Sequence, residues 1–342
     1  MYLKFFELKE KPFELTPAPR YLFLTPGHRE ALAQLVYGIQ EQKGFILMSG
    51  EVGTGKTTLL RTLLQRLGDQ VDSAFITNST LPFDEILEYA LADLGVPDPK
   101  GTRAQRLIAL QKFLIEQRRA GRTTVLIIDE AQNLSVETLE QIRLLSNFET
   151  SSEKLVQIIL AGQPELHGKL QRPELRQLRQ RIALRCTLQP MHDEEVEQYI
   201  ASHLRVAGAR RQFFDSAAIR HITRYSSGIP RVVNILCDHC LLYAYADQTH
   251  EITGVVARRV IEYLEDAERN GRGRLTGIRR MAIGRPATKV IMASSAGVLA
   301  MAVAVSGALS PSAYASAFGD VSAMMTAAVS GVVRWLTHWW GL

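Results

Sequence analysis

The chain has 342 residues, 46% hydrophobic and 22% charged, with a formal net charge of +5. That composition excludes a collagen, a disulfide mini-protein and a wholly disordered chain, and the length supports a sizeable core in one large or two ordinary domains. The charge sits in one place. Residues 270–342 carry Arg272, Arg274, Arg279, Arg280, Arg285, Lys289 and Arg334 against Asp320, a charge of +6, and residues 1–269 carry −1. A neutral body gives no electrostatic support for a nucleic-acid-binding surface.

Residues 1–25 hold Pro12, Pro17 and Pro19 among aromatics and predict an extended arm rather than a helix. Lys4 and Glu7 lie where a signal peptide needs an apolar stretch, so the body is expected in the cytoplasm. Thr25-Pro26 opens a helix to about residue 43, with Thr25 as N-cap. Strands are predicted over 44–49, 71–77, 123–128, 156–161 and 183–188. Helices lie between them, up to residue 67, over 82–95, over 102–120 and over 135–147. The run 123–128 is almost wholly apolar, as in a strand buried on both faces. This rhythm predicts an α/β fold, an open parallel sheet covered by helices. From 192 to 268 the pattern is only helical and predicts an all-α subdomain.

Residues 269–289 read as a basic linker. Residues 290–309 are 20 in a row without charge, long enough for a transmembrane helix, and the basic flank holds that side in the cytoplasm. In the tail 310–342, Val321, Met325, Ala328, Val332, Trp335 and Trp339 recur at helical spacing, and Trp335, Trp339 and Trp340 suit an interfacial anchor. The alternative is an Ala-rich stretch that packs as a helix in a homo-oligomer or is disordered. Cys186, Cys237 and Cys240 are too few for a disulfide framework, and Cys237-Asp238-His239-Cys240 has a metal-like spacing but no second ligand pair, so buried free thiols in a core helix are expected there.

The strongest motif is Gly50-Glu51-Val52-Gly53-Thr54-Gly55-Lys56-Thr57, followed by Thr58. It matches a phosphate-binding loop in full and lies between a predicted strand and helix. Its glycines let backbone N–H groups face phosphate oxygens, Lys56 brings a point charge, and Thr57 offers a hydroxyl to Mg²⁺. Some 70 residues on, the apolar run 125–128 ends in Asp129-Glu130. Two acids at a strand tip suit an Mg²⁺-holding Asp129 and a water-deprotonating Glu130. The expectation is that parallel neighbouring strands bring both tips to one edge.

In order, these motifs, Gly162-Gln163-Pro164-Glu165-Leu166, Leu178-Arg179-Gln180-Arg181-Ile182 and Gly228-Ile229-Pro230-Arg231 resemble the AAA+ ATPase domain of the ExeA (GspA) family of the general, type II, secretion pathway. The N-terminal Met1-Tyr2, Phe5-Phe6, Pro12-Phe13 and His28-Arg29-Glu30-Ala31 match the family's start. The resemblance covers about 1–268. It implies a P-loop AAA+ parallel-sheet domain over 26–190 and an all-α lid subdomain over 191–268, with a C-terminal hydrophobic tail. It implies ATP and Mg²⁺ as cofactors and ATP hydrolysis as the activity. It implies Gln163 as a polar sensor of the γ-phosphate and Arg231 as the lid arginine. Arg181, or else Arg179, would be the finger that reaches a neighbouring subunit's nucleotide, which requires a homo-oligomer. The expected partners are the inner membrane and secretion or envelope-assembly proteins. The family carries a peptidoglycan-binding domain beyond its span, and only about 33 residues follow Leu309 here. A competing reading is a DNA-associated AAA+ regulator of initiator or transposition-helper type, with a footprint in 172–185 and 205–211.

Overall fold

The computed structural model describes residues 2–14, 19–97, 101–149 and 153–272, within one compact unit, Met1–Arg272. The linker past Arg272, the uncharged run 290–309 and the Trp-rich end lie outside the described residues. Among the described residues, no helix is long and apolar enough to cross a membrane.

The elements in chain order are α1 (Tyr2–Phe5), α2 (Pro26–Gln40), β1 (Phe45–Gly50), α3 (Lys56–Leu67), β2 (Val71–Ile76), α4 (Phe83–Asp93), α5 (Arg103–Arg119) and β3 (Thr123–Ile128). There follow α6 (Val136–Leu145), β4 (Val156–Gly162), α7 (Glu165–Leu170), α8 (Arg176–Arg181) and β5 (Ile182–Leu188). The chain then turns all-helical with α9 (Asp193–Val206), α10 (Ser216–Ser226), α11 (Pro230–Ala246) and α12 (Gly254–Arg272). The fold is thus a parallel-sheet core followed by a helical subdomain.

The five strands pair in parallel in the order β2-β3-β4-β1-β5. Successive side chains of a strand point to opposite faces, so apolar runs feed two cores at once. Phe45, Leu47, Leu126 and Ile128 pack with α4, α5 and α6 on one face. Ile46, Met48, Val125 and Ile127 pack with α2 and α3 on the other. One expectation is corrected here: β1 and β3 are not neighbours, because β4 lies between them. The tips still share one sheet edge, since all five strands run the same way, and the intervening strand brings Gln163 between the two motifs.

A third core joins α9, α10, α11 and α12. Cys237 and Cys240 are buried in it and unpaired, and burial pushes both thiols up, Cys240 to about 12. Cys186 on β5 is likewise a buried free thiol. Among the described residues, no three or more His, Cys, Asp or Glu side chains are grouped so as to hold a metal ion by themselves.

The N-terminal segment differs most from its expectation. Tyr2–Phe5 form a helical turn, and Tyr2, Phe6, Leu8 and Phe13 are buried in the core of the helical subdomain. Tyr2, Phe5 and Phe6 stand at the spacing of one helical face, and the prolines that argued for extension lie downstream of that turn. The Tyr2 hydroxyl donates to Asp238 Oδ1 at 2.6 Å and His203 Nδ1 donates to the Pro12 carbonyl at 2.8 Å. At the other end, α12 runs through Arg272, four residues into the stretch read as linker.

Candidate nucleotide-binding site

The phosphate-binding loop leaves the tip of β1 at Gly50 and enters α3 at Lys56. Two glycines are demanded by geometry. Gly53 has φ +83°, and a Cβ there would lie 2.6 Å from Arg231 Cβ. Gly55 has φ +96° at the N-cap of α3, where no side chain caps the helix. A 12-residue helix that begins uncapped leaves its first N–H groups for a ligand anion.

Lys56 is buried, and its Nζ donates to the carbonyls of Gly50 (2.8 Å) and Glu51 (3.0 Å), which fold the amine back under the loop. Burial lowers its pKa, opposed by the charges of Glu130 and Asp129. Thr57 Oγ1 donates to Asp129 Oδ2 at 2.5 Å, across 72 residues of sequence. Asp129 is only 3% exposed, and its other oxygen accepts from the Glu130 N–H at 2.9 Å.

Glu130 turns the chain off β3 with φ +52°, a left-handed conformation that costs a non-glycine residue about 1–3 kcal/mol. Ser79 Oγ, beyond β2, ties the turn by donating to the Glu130 carbonyl at 2.7 Å. The Glu130 Oε2 accepts from Gln163 Nε2 at 3.1 Å and from Gln132 Nε2 at 2.5 Å. Burial pushes this carboxyl up, but the amides of Gln132 and Gln163 and the Lys56 charge outweigh it and hold the carboxyl below its usual range. The tips of β1, β3 and β4 thus assemble Lys56, Thr57, Asp129, Glu130 and Gln163 at one sheet edge.

The helical subdomain closes over this edge. The Arg231 N–H, at the start of α11, donates to the Gly53 carbonyl at 3.3 Å. A cavity of about 720 Å³ lies between the two parts, lined by residues 52–58, Glu130, Arg231, Tyr199 on α9 and Tyr21 and Phe23 of the N-terminal segment. That volume suits a nucleotide-sized molecule. The donors fit a phosphate chain, and the Thr57 and Asp129 oxygens, side by side, fit the coordination shell of Mg²⁺.

Arg179 and Arg181 do not line the cavity. Arg179 Nη1 donates to Gln171 Oε1 at 2.6 Å, and Arg181 Nη1 to Asn147 Oδ1 at 2.7 Å and Ser146 Oγ at 2.5 Å. Sequence reasoning missed two residues that serve the site. Gln132 had no spacing signal beyond standing two places after Glu130. His28 is buried on α2, and its Nε2 donates to the Thr54 carbonyl at 2.9 Å. Its Nδ1 then accepts from the Thr25 hydroxyl at 2.7 Å, so the N-cap of α2 sets the ring that holds the loop. Only the resemblance of the N-terminal segment pointed to it.

Residues 39–170 match the family described as "AAA domain". General secretion pathway protein A of Aeromonas hydrophila is 43% identical over 253 residues, 74% of this chain and 46% of that protein. The chain therefore spans about half the length of that relative. The fold is shared with the ORC2 protein of Aeropyrum pernix (TM-score 0.57, 18% identity, 74% of this chain and 71% of that one). It is also shared with a chain of Drosophila ORC bound to DNA (TM-score 0.59, 21% identity, 79% and 67%). With the loop, the acidic strand tip and the helical cover assembled as above, the chain carries an AAA domain over residues 39–170 and is similar to general secretion pathway protein A over 253 residues.

Proposed function

We propose that this chain is a membrane-tethered, oligomeric AAA+ ATPase that uses ATP hydrolysis to assemble or remodel a secretion or envelope machine. The observation that carries the catalytic half is the convergence of Lys56, Thr57–Asp129 and Glu130–Gln163 at one sheet edge. The pathway half rests on the identity to general secretion pathway protein A.

In this reading residues 50–58 wrap the phosphates and Lys56 neutralises the outer ones. Thr57 and Asp129 hold Mg²⁺, which when bound spreads the charge of the phosphate chain. Glu130 takes a proton from the attacking water, and its lowered pKa keeps it ionised at neutral pH. Gln163 stands beside that carboxylate, placed to sense the terminal phosphate. Arg231, whose backbone already touches Gly53, carries nucleotide occupancy into the helical subdomain. Arg181, or Arg179 beside it, serves a neighbouring subunit, in keeping with their absence from their own cavity. The tail beyond Arg272 holds the ATPase at the cytoplasmic face of the inner membrane. Its basic residues suit anionic headgroups.

The test is fractionation and ATPase assay of the full chain beside a chain ending at Arg272. The full chain is expected in the membrane fraction and the shorter one in the soluble fraction. Equal solubility removes the tether. Salt-dependent binding of duplex DNA by the shorter chain would favour the initiator-type reading instead.

A further inference from the structure

Between the tips of β3 and β4 lies a closed ring of three hydrogen bonds. Gln132 Nε2 and Gln163 Nε2 both donate to Glu130 Oε2, and the Gln163 backbone N–H donates to Gln132 Oε1 at 3.0 Å. The orientation of the Gln132 amide follows from this last bond. A backbone N–H can only donate, so the atom facing it is the oxygen and the atom facing Glu130 is the nitrogen.

Three features hold Gln132 there. Its backbone carbonyl accepts from Lys169 Nζ at 2.5 Å, and the same ammonium holds the Leu134 backbone carbonyl at 2.6 Å. Burial lowers the Lys169 pKa, as for an amine drawn into the protein by these carbonyls. Gly162, the last residue of β4, is bare where Gln132 passes: a Cβ there would lie 2.8 Å from Gln132 Oε1. The turn that starts at Glu130 is left-handed at that residue, which folds residue 132 back toward residue 130.

We propose that Gln132 is a positioning residue for hydrolysis. It pins one oxygen of Glu130 against the β4 tip so that the other, Oε1, is presented to the attacking water. Among the described residues Oε1 has no hydrogen-bond partner, and Glu130 lines the nucleotide cavity. The same amide links the catalytic acid to the backbone of Gln163, so a displacement of the β4 tip reaches Glu130 through one side chain. This rests on the reading of Glu130 as the base.

Two variants of nearly equal volume separate positioning from packing. Gln132→Met removes both bonds. Gln132→Glu keeps an oxygen for the Gln163 N–H but sets a carboxylate against Glu130. Steady-state ATP turnover of the full chain is measured with a thermal melt of each variant. Gln132→Met is expected to lower kcat about 10- to 100-fold with KM for ATP within about twofold. Gln132→Glu is expected to be at least as slow. Turnover within twofold of wild type for Gln132→Met overturns the proposal. So does recovery of turnover in Gln132→Glu, which would mean that only the bond to Gln163 matters. A KM that rises as kcat falls overturns it as well. Glu130→Gln is the control. If it keeps turnover, the base assignment falls and the proposal with it. If it is inactive while Gln132→Met is active, only the role of Gln132 falls.

Discussion

The nucleotide cavity has two sides that are built in different ways. The phosphate side consists of the tips of β1, β3 and β4, where the chain itself dictates geometry: a strand ends, glycines turn the backbone and a helix starts. The covering side consists of the segment before α2 together with α9 and α11. It is held by pairs far apart in sequence, Tyr2 with Asp238, Pro12 with His203 and Glu14 with Asn234. The phosphate side is rigid because it is the end of a buried sheet. The covering side is a separate core that meets the loop at a few contacts, such as Arg231 N–H to Gly53 O. Chemistry and closure can therefore be damaged independently.

The largest effect is expected on the phosphate side. Glu130→Gln should cut ATP turnover about 100-fold or more while leaving nucleotide binding nearly intact, since it removes only the proton acceptor. Lys56→Ala should abolish turnover and weaken binding too, because in the proposed mechanism its charge faces the phosphates in ground and transition states alike. A binding assay with a fluorescent ATP analogue beside a phosphate-release assay distinguishes the two. If both variants lose binding equally, the division of labour within this side is wrong.

On the covering side the largest effect should be on stability. Gly228 has φ +74°, and a Cβ there would lie 2.0 Å from the Met191 carbonyl oxygen, a backbone atom that cannot swing away. Gly228→Ala is expected to cost about 3–4 kcal/mol, from left-handed strain plus displacement of the Met191 segment. Urea unfolding measures it. A cost below 1 kcal/mol would show that the approach of α11 to the sheet part is looser than these distances.

Smaller is the effect of His28, which ties the loop to the N-cap of α2. His28→Ala leaves the Thr54 carbonyl without its buried donor, a loss of about 1–3 kcal/mol. Because that carbonyl lies in the loop, part of the loss should emerge as a raised KM for ATP with kcat little changed. Unchanged KM with lowered stability would make His28 a residue of α2 packing only.

These two sides also differ in what the sequence reveals. The loop 50–57 and Asp129-Glu130 are legible because their chemistry needs fixed residue types at fixed local spacing. Of the five strands, β1, β3 and β4 are legible because they are buried on both faces and read as apolar runs. The strand order is not. Nothing in the run 123–128 says that β4, rather than β3, lies beside β1. The Gln132 amide is invisible for the same reason, since its partner Gln163 N–H is 31 residues away on that intervening strand. The N-terminal segment misled because its prolines carry a strong local signal, whereas burial of Tyr2 and Phe6 depends on a core that begins only at Met191.

The smallest expected effect isolates that segment alone. Tyr2 is 4% exposed and donates to Asp238, so its phenol is held protonated, first by burial and then by the bond to the carboxylate and its charge. Its folded pKa lies above the ordinary value of about 10. A group raised in this way contributes stability that is fully present below the unfolded pKa and lost as pH rises past it. Tyr2→Phe should therefore cost about 1 kcal/mol at pH 7, the worth of one hydrogen bond. Above about pH 10 the unfolded wild type gains from ionising Tyr2 while the folded protein does not, and phenylalanine has no such penalty. The gap between the two proteins should close by about pH 11, where one unit of unmatched ionisation equals about 1.4 kcal/mol. The other tyrosines titrate in both proteins and cancel from the difference. Urea unfolding of the pair from pH 7 to 11 reads that difference directly. A gap that stays constant across the range would mean that the Tyr2 phenol meets water as freely in the folded chain as in the unfolded one, and that the segment is not clamped to the helical core.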